Sequence, residues 1–128
     1  MPLYEGRCHC GALTLSYTTA SEPGAIQPRA CDCSYCTRQG AMYVSDPAGS
    51  LSLAGEPRIY RQGEERAEFL SCGRCGVLLA VVHQQRGAVN VRCLERFAEF
   101  GSPVAVSPQQ LSADEKVARW LANWTPLL

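Results

Sequence analysis

Apolar and polar residues alternate over short stretches of this chain, and turn-forming residues separate the stretches. Leu13, Leu15 and Tyr17 interleave with small or polar neighbours. A period of two puts alternate side chains on one face, which predicts a half-buried strand. Residues 41–44, 51–53, 58–61 and 67–70 read as further short strands. Residues 77–82 are apolar throughout, so no side is left for water, and a strand covered on both faces is expected. His83 closes that run as a strand-end residue. Val89, Val91 and Cys93 alternate on a last strand. Pro23-Gly24, Asp46-Pro47-Ala48-Gly49, Gly55-Glu56-Pro57, Gln62-Gly63-Glu64 and residues 84–87 carry the turns.

The tail changes period. Ser112 followed three residues on by Glu115 fits a capping box. Val117, Leu121 and Trp124 then recur about once per helical turn, with Trp120 beside them. One amphipathic helix over residues 113–123 is expected, its apolar face packed on the core and its end enforced by Pro126. The tryptophan helix suits either a lid on the sheet or a homodimer contact. No repeat or convincing linker interrupts the chain. The expectation is one mainly β domain over residues 1–128, with one C-terminal helix.

Length and charge narrow the classes. A chain of 128 residues suits one modest core. Twelve basic residues cancel twelve acidic ones, and Lys116 is the only lysine. A basic patch for nucleic acid is therefore not expected, and Arg58, Arg61 and Arg66 read as a solvated strand face. No apolar run is long enough to span a membrane. The opening Met-Pro-Leu-Tyr-Glu-Gly lacks the basic and apolar regions of a secretory signal, so a cytoplasmic location is expected.

Eight cysteines change the picture most. They suit disulfides in an oxidising compartment, and metal or catalytic roles in the cytosol. Spacing favours metal. Cys8-His9-Cys10, Cys31-Asp32-Cys33-Ser34-Tyr35-Cys36 and Cys72-Gly73-Arg74-Cys75 are built from the C-x-C and C-x-x-C pairs that chelate. Zinc is the usual intracellular partner of such thiolates. His9 stands between two thiols and reads as a surface histidine. The central C-x-C-x-x-C aims three sulfurs at one point and cannot easily supply a fourth. Structural zinc sites close with four protein ligands, whereas catalytic ones keep three and leave a position open. Seven cysteines divide naturally as four plus three. Cys8, Cys10, Cys72 and Cys75 would close one site, and Cys31, Cys33 and Cys36 would form an open one. A four-thiolate site joining the central stretch to another cysteine fits the arithmetic too. Cys93 is left over and reads as a buried small hydrophobe. A metal-free redox role has little support, because Arg29 and Arg38 are the only basic neighbours.

These residues carry a resemblance. Gly6-x-Cys8-x-Cys10-Gly11, then Cys31-x-Cys33-Ser34-x-Cys36 with Arg38 and Gly40, then Cys72-x-x-Cys75-Gly76, is similar in order and spacing to the glutathione-dependent formaldehyde-activating enzyme (Gfa/CENP-V) family. The resemblance implies a β-tent fold of coiled antiparallel sheets. It implies a structural zinc on Cys8, Cys10, Cys72 and Cys75, and a catalytic zinc on Cys31, Cys33 and Cys36. It also implies glutathione as thiol and formaldehyde as aldehyde. Asp32 departs from the family, which often has His there, and that alters the charge beside the open position.

A zinc held by three thiolates is a weak Lewis acid but a good acceptor for a further sulfur, whose proton it displaces. The thiolate so made attacks an aldehyde, and a hemithioacetal results. The reverse step is carbon–sulfur cleavage, so the expected activity is a carbon–sulfur lyase of the S-(hydroxymethyl)glutathione synthase type. Arg38 is a candidate partner for a substrate carboxylate. Ser34 and Tyr35 are candidates to hydrogen-bond the metal sulfurs or the substrate. Asp32 is a candidate proton acceptor or an ordinary turn residue. The rival reading is a non-catalytic, zinc-stabilised binding module, since a fold does not fix a function.

Overall fold

A computed structural model describes residues 2–128. The small sheet consists of β1 (Leu3–Arg7), β2 (Thr14–Thr18) and β5 (Ser50–Ala54), in that order. The large sheet takes β3 (Arg29–Cys31), β4 (Met42–Val44), β6 (Pro57–Tyr60), β7 (Glu68–Cys72), β8 (Leu78–His83), β9 (Arg86–Asn90) and β10 (Val104–Val106) in the order β10-β3-β4-β9-β8-β7-β6, and β11 (Thr125–Pro126) pairs with β9. The pairings are antiparallel except β10 with β3, which is parallel. The mainly β, tent-like expectation holds, with one amendment. Besides the C-terminal helix α2 (Ala113–Asn123), the central cysteine stretch forms a short helix, α1 (Ser34–Gln39).

The two sheets enclose one core, built on Tyr4, Leu15, Tyr17, Leu51, Leu79 and Val89. A second core lies around Cys36, Tyr43, Phe69, Leu78, Val81 and Trp124. Strand β8 serves both, which is why its apolar run has no polar side. Leu70 pairs with Ala80 but Ser71 pairs with Leu78, so Leu79 is an extra residue in the β8 ladder. That bulge turns Leu79 and Ala80 into the first core, while Leu78 and Val81 reach the second.

Three local expectations need correction. Val91 and Cys93 lie on a 3-10 turn and not on a strand, because the Asn90 side chain accepts from Arg92 N–H at 3.3 Å and draws the chain out of the ladder. The turn after His83 is tighter than residues 84–87, with Gln84 at φ 54° and β9 starting at Arg86. Helix α2 has the expected capping box, and Trp124 is buried with Val117 and Trp120 half-buried as expected, but Leu121 stays 44% exposed. The stacking of Trp120 on Trp124, with ring centroids 5.0 Å apart, sets that orientation. Among the described residues no helix is long and apolar enough to cross a membrane.

Candidate functional site

The first and third cysteine groups occupy two similar knuckles. Cys8 N–H donates to Leu13 O at 3.0 Å, and Leu13 N–H donates to Cys8 Sγ at 3.3 Å. Cys72, the last residue of β7, donates its N–H to Val77 O at 3.0 Å. Its Sγ accepts from Arg74 and Cys75 N–H at 3.3 and 3.4 Å. Gly76 closes this knuckle at φ 80°, a left-handed angle that side chains resist. Gly6 has a different task. A Cβ there would stand 2.7 Å from Cys93 O, so only glycine lets β1 pass close enough to bring the knuckles together.

The result is a four-sulfur cluster. Cys8 and Cys10 Sγ are 3.8 Å apart, Cys10 and Cys72 Sγ are 3.5 Å apart, and with Cys75 all four lie within 4.8 Å of one another. Zinc–sulfur bonds of about 2.3 Å in a tetrahedron give edges of about 3.8 Å, so the cluster fits such an ion. All eight cysteines are free thiols. The Val77 N–H holds Cys75 down to about 6. Burial works against the Cys8 thiolate, but hydrogen bonds from Leu13 and the neighbouring thiols bring it below its ordinary value. The Ala12 N–H favours the Cys10 thiolate, but the hydrogen bond with Cys72, burial and the other thiols outweigh it and push Cys10 up to about 11, so protons and thiolates share the cluster. His9 is exposed between its two cysteines, as expected.

The central group gathers three sulfurs from three local contexts. Cys31 ends β3, Cys33 is the N-cap of α1, and Cys36 lies in its first turn. Cys33 Sγ accepts from Cys36 N–H at 3.3 Å, so a thiol takes the usual place of a serine or aspartate oxygen. Gly40, at φ 67°, ends the helix. The three sulfurs lie within 4.8 Å of one another, and among the described residues no fourth sulfur, imidazole or carboxylate joins them. A hydrogen bond from Cys36 holds Cys31 down to about 6, and the same contact together with burial pushes Cys36 well up. One sulfur of the pair is thus a ready thiolate. Tyr43 Oη is 3.1 Å from Cys36 Sγ. Burial raises the phenol far above its ordinary range, so it keeps its proton and donates to that sulfur when Cys36 is a thiolate.

This trio lines a cleft of about 580 Å³. Trp120, Trp124 and Phe69 give it an apolar wall. Arg29, Arg66, Lys116 and Arg119 line it too, against the single acid Glu64. That these four share one space was not visible in the sequence pattern, because they come from β3, the turn before β7 and α2. Arg38 is elsewhere. It is exposed, donates to Ser34 O at 3.0 Å, and does not line the cleft. Asp32 also lies outside the lining and accepts from Ser107 Oγ at 2.5 Å. Ser34 lines the cleft, and Tyr35 packs edge-on against Phe69. Arg58, Arg61 and Arg66 are exposed, the last two paired with Glu68 and Asp114. Cys93 is buried, with burial raising its thiol to about 11, and it donates to Leu78 O at 3.3 Å. It behaves as a core residue and not as a ligand.

Comparison with known proteins bears on the fold and the family. A crystal structure of a Rhodobacter sphaeroides protein shares the fold, with a TM-score of 0.59 and 24% identity over 97% of this chain and 99% of its own. No curated protein matches. A family model matches residues 3–111, a span that holds both cysteine clusters and extends well past the stretch that carries the resemblance in the sequence. The chain belongs to the glutathione-dependent formaldehyde-activating enzyme family.

Proposed function

We propose that this protein is a zinc-dependent carbon–sulfur lyase that joins a thiol such as glutathione to a small aldehyde such as formaldehyde. The reading rests on family membership and on one observation above the others: three sulfurs without a fourth partner at the wall of a cleft. In this reading Cys8, Cys10, Cys72 and Cys75 hold a structural zinc, and Cys31, Cys33 and Cys36 hold a catalytic one. Bound by three thiolates, zinc supplies a soft position that accepts a further sulfur and lowers its proton affinity. The chain's own groups do the rest. Tyr43 donates to Cys36 and fixes its sulfur. Trp120, Trp124 and Phe69 keep water from one side of the cleft, where a hemithioacetal would otherwise exchange with solvent. In the net reaction a C–S bond forms, the carbonyl becomes a hydroxyl, and the thiol proton ends on that oxygen. Arg38 is a weaker candidate for a substrate carboxylate than the cleft cations, since its guanidinium is occupied by Ser34 O.

The direct test follows S-(hydroxymethyl)glutathione by NMR exchange spectroscopy from glutathione and formaldehyde. With protein, the exchange rate is expected to rise in proportion to protein concentration. A rate equal to the spontaneous one would leave only a zinc-stabilised binding module. Tyr43→Phe offers a finer check. Loss of one supporting hydrogen bond to a metal ligand costs roughly 10–100-fold in affinity. Competition with a chromophoric chelator is expected to find the weaker zinc loosened by that factor, and the tighter zinc unchanged.

A further inference from the structure

The cleft cations are not equivalent. Lys116 Nζ is 3.0 Å from Glu64, and Arg66 is 3.5 Å from Asp114, so each already has a counter-charge. Arg29 has none among the described residues; its guanidinium donates to the neutral Ser45 Oγ at 2.7 Å. It is half-buried and lines the cleft with Cys31. Arg119 likewise has no acidic partner among the described residues. Two guanidinium groups, one on β3 and one on α2, thus face the same space without an anion between them. Arg29 is half-buried and Arg119 exposed, and a like charge nearby adds to the cost of holding the half-buried one without a partner. Side chains two apart on a strand share a face, so Arg29 stands beside Cys31, about 6.5 Å further back along β3.

We propose that Arg29 and Arg119 form a carboxylate-binding corner that selects thiols bearing a carboxylate a few bonds from the sulfur. The planar guanidinium fork matches a carboxylate with two parallel N–H···O bonds. A ligand that places its sulfur at the three-cysteine trio would then reach this corner with its acid. The proposal rests on the reading of the trio as a thiol-binding site.

The chain's two tryptophans, Trp120 and Trp124, both line the cleft and report its occupancy by fluorescence. The zinc-loaded protein is titrated with 3-mercaptopropionate and with its neutral counterpart 3-mercaptopropionamide. The acid is expected to bind about tenfold tighter or better, the scale of one charge-assisted pair. Arg29→Met and Arg119→Met are each expected to reduce that preference, and to leave the amide within about twofold of its original affinity. Equal affinity for acid and amide in the unaltered protein overturns the corner, and this arm needs no variant to fold. So does a preference that survives both substitutions. In either case binding of the amide still upholds the thiol site. If neither thiol binds, the corner and the thiol site fall together.

Discussion

Replacing Cys36 with serine is expected to return adduct formation to its spontaneous rate while leaving the fold in place. Cys36 is 2% exposed and sits between Cys31 and Tyr43, so no other side chain can swing in as a substitute. A serine hydroxyl is a harder and far less acidic donor than a thiol, and it leaves two sulfurs where three are needed. Loss of a ligand should exceed the roughly 10–100-fold penalty for losing a supporting group. The backbone has little reason to change. The N-cap of α1 is Cys33, the C-cap is Gly40, and the substitution removes no buried carbon. Far-UV circular dichroism should overlay that of the unaltered protein. A Cys36→Ser variant that still accelerates the reaction would remove the trio from catalysis.

The opposite pattern is expected for Cys72→Ser. Cys72 is 3% exposed and joins β7 to the knuckle at the end of β1. Structural zinc contributes about 10–16 kcal/mol of apparent binding free energy, and a domain of this kind is stable by only about 5–15 kcal/mol. Losing even about 4 kcal/mol should lower Tm by roughly 15 °C at this chain length. Strong chelation should act in two stages. The first removes zinc from the trio and activity with it, and the melting curve barely shifts. The second empties the four-sulfur cluster and ends cooperative unfolding. A single stage, in which activity and fold vanish together, would mean that the clusters do not have separate roles.

Much of this was legible in the sequence, and the reasons differ by residue. The knuckles were readable because chelation needs close spacing: Cys8-x-Cys10 and Cys72-x-x-Cys75 carry their geometry in the number of intervening residues. The continuous run at β8 announced burial on both faces, and Ser112 with Glu115 announced the start of α2. Strand β1 was missed, although Tyr4 and Gly6 alternate inward, because a glycine offers no apolar signal. Helix α1 was read as a loop, since a six-residue segment with cysteines at its cap and first turn lacks an amphipathic period. On α2 only Leu121 was misplaced, because spacing favoured it, whereas the stacked Trp120 and Trp124 took the inward side. Arg29 and Arg119 were invisible as a pair for a simpler reason. They are ninety residues apart, and only the packing of α2 across the cleft brings them to one space.

The most direct measurement is sulfur coordination by zinc X-ray absorption, with total zinc per chain, before and after glutathione is added. Two zincs per chain sharing seven protein sulfurs are expected, with one light-atom position between them that becomes sulfur when the thiol arrives. One zinc per chain, or eight sulfurs around two zincs before any thiol is present, would contradict the open corner on which the proposed chemistry depends.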